Sequence, residues 1–306
     1  MDVIKCFDKL WLEACINSLY EAGLKSDNLN LLYIENKTAD IAVKINNKVS
    51  RRIPVKNVVM QGSVWGGLKC TTQMDTLNKH MLSKDELTYK FRGDPTIPIG
   101  VLGMVDDTLA IAECGVKSVE KNAVVNSFME THRLRMHKDK SMVIHMSNVK
   151  KCSQPCPQLK VHKDTMHAVD KTKYLGNILS STGSNRDPIE DRRNKGWGKV
   201  SQILGILGEV DMGGQRMEAA LLLRKAILTN RLLFSAEAWS NVTDKDIKRL
   251  EQVDTCLLKS LVKGLSKTPV VFHHLENGTL MLRHILKINR LMYHYHLLNR
   301  GEEETA

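Results

Sequence analysis

Aromatic residues are scarce, at 5% of the 306-residue chain, so any core has to be built from Leu, Ile, Val and Met. No apolar run approaches the roughly 18 residues of a membrane-spanning helix, which excludes an integral membrane protein of that kind. No secretion signal is expected either: Met1 is followed at once by Asp2 and then by Cys6-Phe7-Asp8, which points to the nucleus or cytoplasm. Internal repeats and low-complexity stretches are absent. So are a P-loop, a Ser/His/Asp arrangement and a dinucleotide fingerprint. The seven Cys form an odd, scattered set, as reduced intracellular thiols do, and not a disulfide framework.

What is present is ordinary in amount and uneven in charge. A hydrophobic fraction of 42% and a charged fraction of 26% exclude disorder over most of the length. The length suits two domains. Lys plus Arg number 45 against 34 Asp plus Glu, a formal charge of +11 that favours polyanionic partners, above all nucleic acid.

Apolar spacing predicts a helix from Leu10 to Ala22, closed by Gly23, and a shorter one from Asp27 to Glu35. Ile41 to Ile45, the Asn46-Asn47 turn and Val49 to Val55 predict a hairpin, with Pro54 on an edge. A helix is expected over Leu68 to Leu82, a strand over Ile97 to Val105, a second apolar run over Leu109 to Ala112 and a helix over Ser118 to Met129. Met142 to Met146 and Tyr174 to Leu179 read as strands. Beyond Asn185 the pattern turns helical, over Ile189 to Leu207, Met217 to Trp239, Asp244 to Leu261 and Leu282 to Leu298. The expected organisation is an α+β domain over 1–184 and an all-α domain over 185–306.

Asp106-Asp107 lies between two apolar runs. At a tight turn both carboxylates can crowd one point, and a cation relieves their repulsion. Oxygen ligands of this kind suit Mg²⁺, which fills its other sites with water and substrate phosphate. The plainer reading is a turn rich in Asp. Asp2, ahead of an amphipathic helix, offers a third carboxylate for a two-metal site.

Asp2-x₄-Phe7-Asp8, Gln61-Gly62, Met104-Val105-Asp106-Asp107, Lys140-Ser141 and Tyr174-Leu175-Gly176 follow one another in the order and rough spacing of a reverse transcriptase palm. The chain resembles the polymerase region of non-LTR, LINE-type retrotransposons over about residues 1–180. The resemblance implies a palm with an antiparallel sheet and packed helices, then a thumb-like helical domain. It implies Asp2, Asp106 and Asp107 as catalytic carboxylates and ligands of two Mg²⁺, with Mn²⁺ as a substitute. Phe7 matches the aromatic steric gate that selects deoxynucleotides, and its alternative is core packing. Asp8 reads as the cap of the Leu10 helix. Gln61-Gly62 resembles the loop beside the incoming nucleotide. Lys140 resembles the lysine that protonates pyrophosphate. Tyr174-Leu175-Gly176 resembles the primer grip. RNA template, DNA primer and deoxynucleoside triphosphates are the implied partners; protein partners are not implied.

The sequence departs from the family pattern in several places. Met104 stands where an aromatic is usual, Ser63-Val64-Trp65 follows Gln61-Gly62, and His137 replaces an Asn before Lys140. A fingers region is missing ahead of Asp2, so a frayed Asp2 and little or no polymerase activity are expected of the chain as given. The alternative is a non-enzymatic nucleic-acid-binding remnant of a retroelement, and a two-metal nuclease is a third reading. Cys152, Cys156, His162 and His167 include zinc-ligand types, with a plain loop and hairpin as the other reading. Arg192, Arg193, Lys195, Trp197 and Lys199 suit a nucleic-acid face on one helix.

Overall fold

The structure, a computed structural model, describes residues 1–4, 6–37, 39–54, 59, 63, 65–90, 98–146, 157–209, 215–240, 242–265 and 267–303. The fold is α+β, and the chain divides into two compact units, Met1–Leu175 and Gly176–Ala306. The division falls ahead of the 184/185 boundary expected from sequence, at the turn Leu175-Gly176, where both residues have positive φ (+46° and +80°). Tyr174 to Leu179 is therefore not one strand.

The first unit opens with a short helix, α1 (Cys6–Lys9), and then α2 (Leu12–Glu21). α2 is the helix expected from Leu10 to Ala22, beginning two residues later, and α1 precedes it. Asp8 does not cap α2: Trp11 holds that position without a side-chain bond. α2 buries Leu12, Cys15 and Leu19 on one stripe. It ends where Gly23, at φ +95°, donates to the Tyr20 carbonyl and Leu24 to the Leu19 carbonyl. Both bonds satisfy terminal carbonyls, and they require a left-handed residue at that point. α3 (Ser26–Lys37) packs its Leu29 and Leu32 against Leu19. β1 (Asp40–Ile41) pairs with β4 (Ile53–Pro54), enclosing β2 (Lys44–Ile45) and β3 (Lys48–Val49). Asn46 and Asn47 turn that inner hairpin with positive φ, the role their short side chains permit.

α4 (Gly66–Leu82), β5 (Tyr89–Lys90), β6 (Pro98–Ile99), β7 (Val101–Met104), β8 (Asp107–Ala110) and α5 (Gly115–Thr131) follow. β9 (Met142–Val143), β10 (Lys160–Val161), β11 (Asp164–Thr165), β12 (His167–Ala168) and β13 (Lys171–Tyr174) complete the unit. β5 pairs with β6, β7 with β8 and β10 with β11, all antiparallel, while β9 and β12 run parallel. Among the described residues no sheet exceeds two strands, and most of the pairs are antiparallel. Leu10, Leu77, Met81, Val125, Met129 and Met136 make a core with few aromatics. Full burial of each such side chain stabilises the fold by about 1.5–3 kcal/mol.

The second unit comprises β14 (Asn177–Ser180), α6 (Arg186–Glu209), α7 (Arg216–Leu223), α8 (Asn230–Leu232), α9 (Asp244–Val262), α10 (Val270–Glu276) and α11 (Leu282–Glu303). Ile189, Ile203 and Leu207 of α6 share its core with Leu250, Val253 and Leu257 of α9. Thr243 and Asp246 cap α9 reciprocally, each side chain accepting from the other's backbone N–H at 3.2 Å. The helix expected over Met217 to Trp239 is interrupted. A π-helical stretch, Arg224–Thr229, lies where the buried Arg224 pairs bidentately with Asp254 (2.7 and 2.7 Å), and Ser235 breaks the helix at φ +56°.

Candidate active site

A two-residue loop, Val105-Asp106, joins β7 to β8, and Met104 faces Asp107 in the last pair of the ladder. Of the two loop residues only Val105 has positive φ, +59°. A β-branched residue rarely adopts that conformation, and it costs about 1–3 kcal/mol where the surroundings enforce it. Asp106 therefore stands at the hairpin tip and Asp107 opens β8.

Met1 pairs with β8 at Thr108. The Met1 nitrogen donates to the Thr108 carbonyl at 2.7 Å, and the Thr108 nitrogen returns a bond to the Met1 carbonyl at 3.0 Å. On the other side His137 N–H donates to the Asp2 carbonyl (2.8 Å), Ile4 N–H to the Arg135 carbonyl (2.8 Å), and Val3 bridges Met136. Asp2 N–H donates to the hydroxyl of the buried Ser141 (3.4 Å). Asp2 is thus held from both sides and is not frayed, contrary to the reading from sequence position alone. The bonds that hold it come from residues more than 100 positions away.

The three carboxylates share one electrostatic neighbourhood. The Asp107 carboxyl is pushed above its ordinary value by burial, then by the charges of Asp106 and Asp2, while Lys140 acts in the opposite sense. The Lys140 Nζ lies 3.2 Å from Asp2 Oδ2 at the end of a largely exposed side chain. Beneath the cluster Cys6 and Cys70 touch, Sγ to Sγ 3.2 Å, in a buried pair of free thiols. That contact, then burial and the fields of Asp106 and Asp2, push the Cys6 thiol up. Tyr174 belongs to the same neighbourhood. Its hydroxyl donates to the Leu102 carbonyl of β7 at 3.5 Å, and burial and Asp107 together raise its pKa.

Other sequence-derived candidates fall differently. Phe7, on α1, is half-buried and packs against the first core, and its carbonyl accepts from Val59 N–H at 3.3 Å. Leu175 closes the first unit, partly exposed. Gly176 opens the second, where its carbonyl accepts from the Arg192 guanidinium at 2.7 Å. Gln61 and Gly62 lie outside the described residues, as do Cys152 and Cys156. His162 stands 4.0 Å from Glu130, and His167 lies in β12. Arg192 is not part of a nucleic-acid face: it is buried, stacked 4.5 Å over the Phe234 ring and bonded to Asn177 as well as Gly176. Arg193 and Lys195 pair with Glu190 and Asp191 of their own helix.

One residue escaped the sequence reading. Lys121 lies on the buried face of α5 with Asn122, Val125, Phe128 and Met129, and its ammonium bonds the backbone on both sides of the hairpin's open end. The only sequence signal is its spacing: position 121 falls on the same helical row as Val125 and Phe128.

Among the described residues no three His, Cys, Asp or Glu side chains converge closely enough to hold an ion unaided. The donor chemistry nonetheless fits Mg²⁺, which binds through one or two carboxylates and completes its shell with water and phosphate oxygens. Mutually repelling carboxylates, one of them with a raised pKa, are the setting a divalent cation relieves. Among the described residues no helix is long and apolar enough to cross a membrane.

No curated protein matches the chain. A family profile described as reverse transcriptase (RNA-dependent DNA polymerase) matches residues 1–179, the span that contains Asp2, the Val105-Asp106 loop and Tyr174. The chain belongs to the reverse transcriptase family.

Proposed function

We propose that the first unit is the palm of a non-LTR-type reverse transcriptase and that the second is its thumb-like domain. The reaction is addition of deoxynucleotides to a DNA primer on an RNA template. The observation that supports this reading is the pair of bonds between Met1 and Thr108, which sets Asp2 beside the start of β8, with the Lys140 Nζ 3.2 Å from Asp2.

Asp2 and Asp106 are read as the carboxylates that hold two Mg²⁺, with Asp107 the lesser ligand. When bound, the metal lowers the pKa of the primer 3′-hydroxyl and stabilises charge on the phosphate. The protein's part is to hold the carboxylates. The Asp2 backbone is fixed by His137 and Ser141, and Asp106 is fixed by the hairpin. Lys140 neutralises part of the acidic field, and its exposed ammonium is free to swing from Asp2 to the leaving pyrophosphate and donate a proton. Tyr174, beside Asp107, supports the reading that the primer end sits against this hairpin.

The test has two readouts on the full chain: Mn²⁺ binding followed by electron paramagnetic resonance, and addition of one deoxynucleotide to a labelled primer on an RNA template. Asp106→Asn is expected to abolish the high-affinity Mn²⁺ signal and to slow addition by about a hundredfold or more, the scale on which loss of a preorganised electrostatic contact acts. Mn²⁺ binding indifferent to Asp106→Asn overturns the reading. Tight primer–template binding without a Mn²⁺ site favours the nucleic-acid-binding remnant. Primer shortening without extension favours the nuclease.

A further inference from the structure

The β7–β8 hairpin holds its carboxylates at one end and is tied down at the other. Lys121, 2% exposed, sends its ammonium from α5 to the Gly100 carbonyl at 3.0 Å and to the Ile111 carbonyl at 2.6 Å. Those two residues flank the first pair of the ladder, Val101 with Ala110. The lysine therefore cross-links the two strands at their open end. An ammonium suits the task because its donors diverge and can serve two carbonyls at once.

The same end is packed without slack. A Cβ on Gly100 would fall 2.7 Å from the Met81 Cβ and 2.8 Å from Asn78 Oδ1, and that same Asn78 oxygen accepts from Val101 N–H at 3.2 Å. From this base each strand runs four residues, about 13 Å, to the loop. A tilt of about 5° at the base moves the tip by about 1 Å over that length. Functional groups have to be held within about 0.5 Å, so the base, far from the chemistry, sets the precision of the tip.

We propose that Lys121 is a positioning residue of the carboxylate site: its clamp on Gly100 and Ile111 fixes where Asp106 and Asp107 stand. This rests on the polymerase reading for its functional meaning. Its geometry does not depend on that reading. Burial, and next the like charge of Lys117, lower the Lys121 ammonium to about 8, while Glu113 opposes them, so the group remains charged at neutral pH. Charge-assisted bonds to both carbonyls are therefore present under working conditions. A Met at this position fills the same channel and donates nothing.

The test compares the full-length wild type, Lys121→Met and Lys121→Arg by Mn²⁺ titration, single-nucleotide addition and thermal melting. Lys121→Met is expected to weaken Mn²⁺ affinity about tenfold, as loss of a supporting contact behind a metal ligand does, and to lower kcat with little change in the nucleotide KM. Lys121→Arg, which keeps the donors, is expected to recover most of both. A folded Lys121→Met with wild-type Mn²⁺ affinity overturns the proposal. If Lys121→Met does not fold, Lys121→Gln, too short to reach both carbonyls, is read in its place, and wild-type affinity there overturns it equally. If neither variant folds, the lysine supports the whole unit and not the hairpin, and the proposal fails. Absence of a Mn²⁺ site in the wild type removes the polymerase reading, which this comparison keeps separate from the clamp.

Discussion

The interior of the helical unit contains a polar group whose charge is opposed by its surroundings. His274 is 3% exposed; its Nδ1 lies 3.1 Å from the Thr279 hydroxyl and its Nε2 3.9 Å from Asp254 Oδ2. Burial pushes the imidazole below its ordinary 6.5, and Arg224 and His273 act in the same direction, against Asp254 and Glu251. Asp254 is the strongest charge in the opposite sense, but it is committed to Arg224 through two short bonds, and burial prevails. The unfolded chain then binds a proton at a pH where the folded one does not. Stability present above about pH 6.5 is lost as pH falls through the lowered folded value. Denaturant midpoints of the helical unit are expected to drop between pH 7 and pH 5, and His274→Gln is expected to flatten that segment. An unchanged slope in the variant would assign the effect to another group. His273 and His274 are both buried. Their burial follows from α10, a seven-residue helix too short for apolar spacing to reveal.

At the scale of elements the hairpin that carries Asp106 stores local strain. The first position of a two-residue turn with positive φ is normally Gly, yet this chain has Val105 at φ +59°. Val105→Gly relieves a strain of about 1–3 kcal/mol and adds back less than about 1 kcal/mol of unfolded-chain entropy. A gain of about 1 kcal/mol in stability is therefore expected from chemical denaturation, together with slower nucleotide addition, because a Gly tip holds Asp106 less tightly. A destabilised Val105→Gly variant would show that the turn is not strained.

Elements were legible where their signals were local. Gly23 announced the end of α2 and Asn46-Asn47 announced a turn, because positive φ restricts residue choice. The Asp106-Asp107 pair was legible as a turn because Asp is a common turn residue. What holds Asp2 was not legible: His137 and Ser141 reach it, and Thr108 reaches the neighbouring Met1, only through the folded topology. Nor was the break at Arg224, where a side chain paired with Asp254 of another helix overrides a continuous helical pattern.

Over the whole molecule the formal charge of +11 is legible from composition, but its distribution is not. Lys69, Lys121, Arg192 and Arg224 are buried and serve internal bonds. The cations available to a polyanion are therefore fewer than a count suggests. The second unit offers them in an adjoining pair of cavities of about 500 and 390 Å³ along the first turns of α6 and α9, lined by Arg186, Arg193, Lys245, Lys248 and Arg249. Glu190 and Asp246 engage Arg193 and Arg249, which leaves Arg186, Lys245 and Lys248 as the better phosphate contacts, the two lysines together on α9. Each phosphate neutralised contributes about 0.9 to the slope of log affinity against log salt. Replacing Lys245 and Lys248 together by Ala is therefore expected to lower that slope by about 1.8, read by fluorescence anisotropy of a labelled primer–template between about 50 and 200 mM salt. Arg192→Ala is expected to leave the slope unchanged and to lower the melting temperature, because it strips a buried bond from Gly176 and a stacked cation from Phe234. The opposite pattern, a slope that follows Arg192 and ignores the two lysines, would return the nucleic-acid face to the helix row where the sequence alone had placed it.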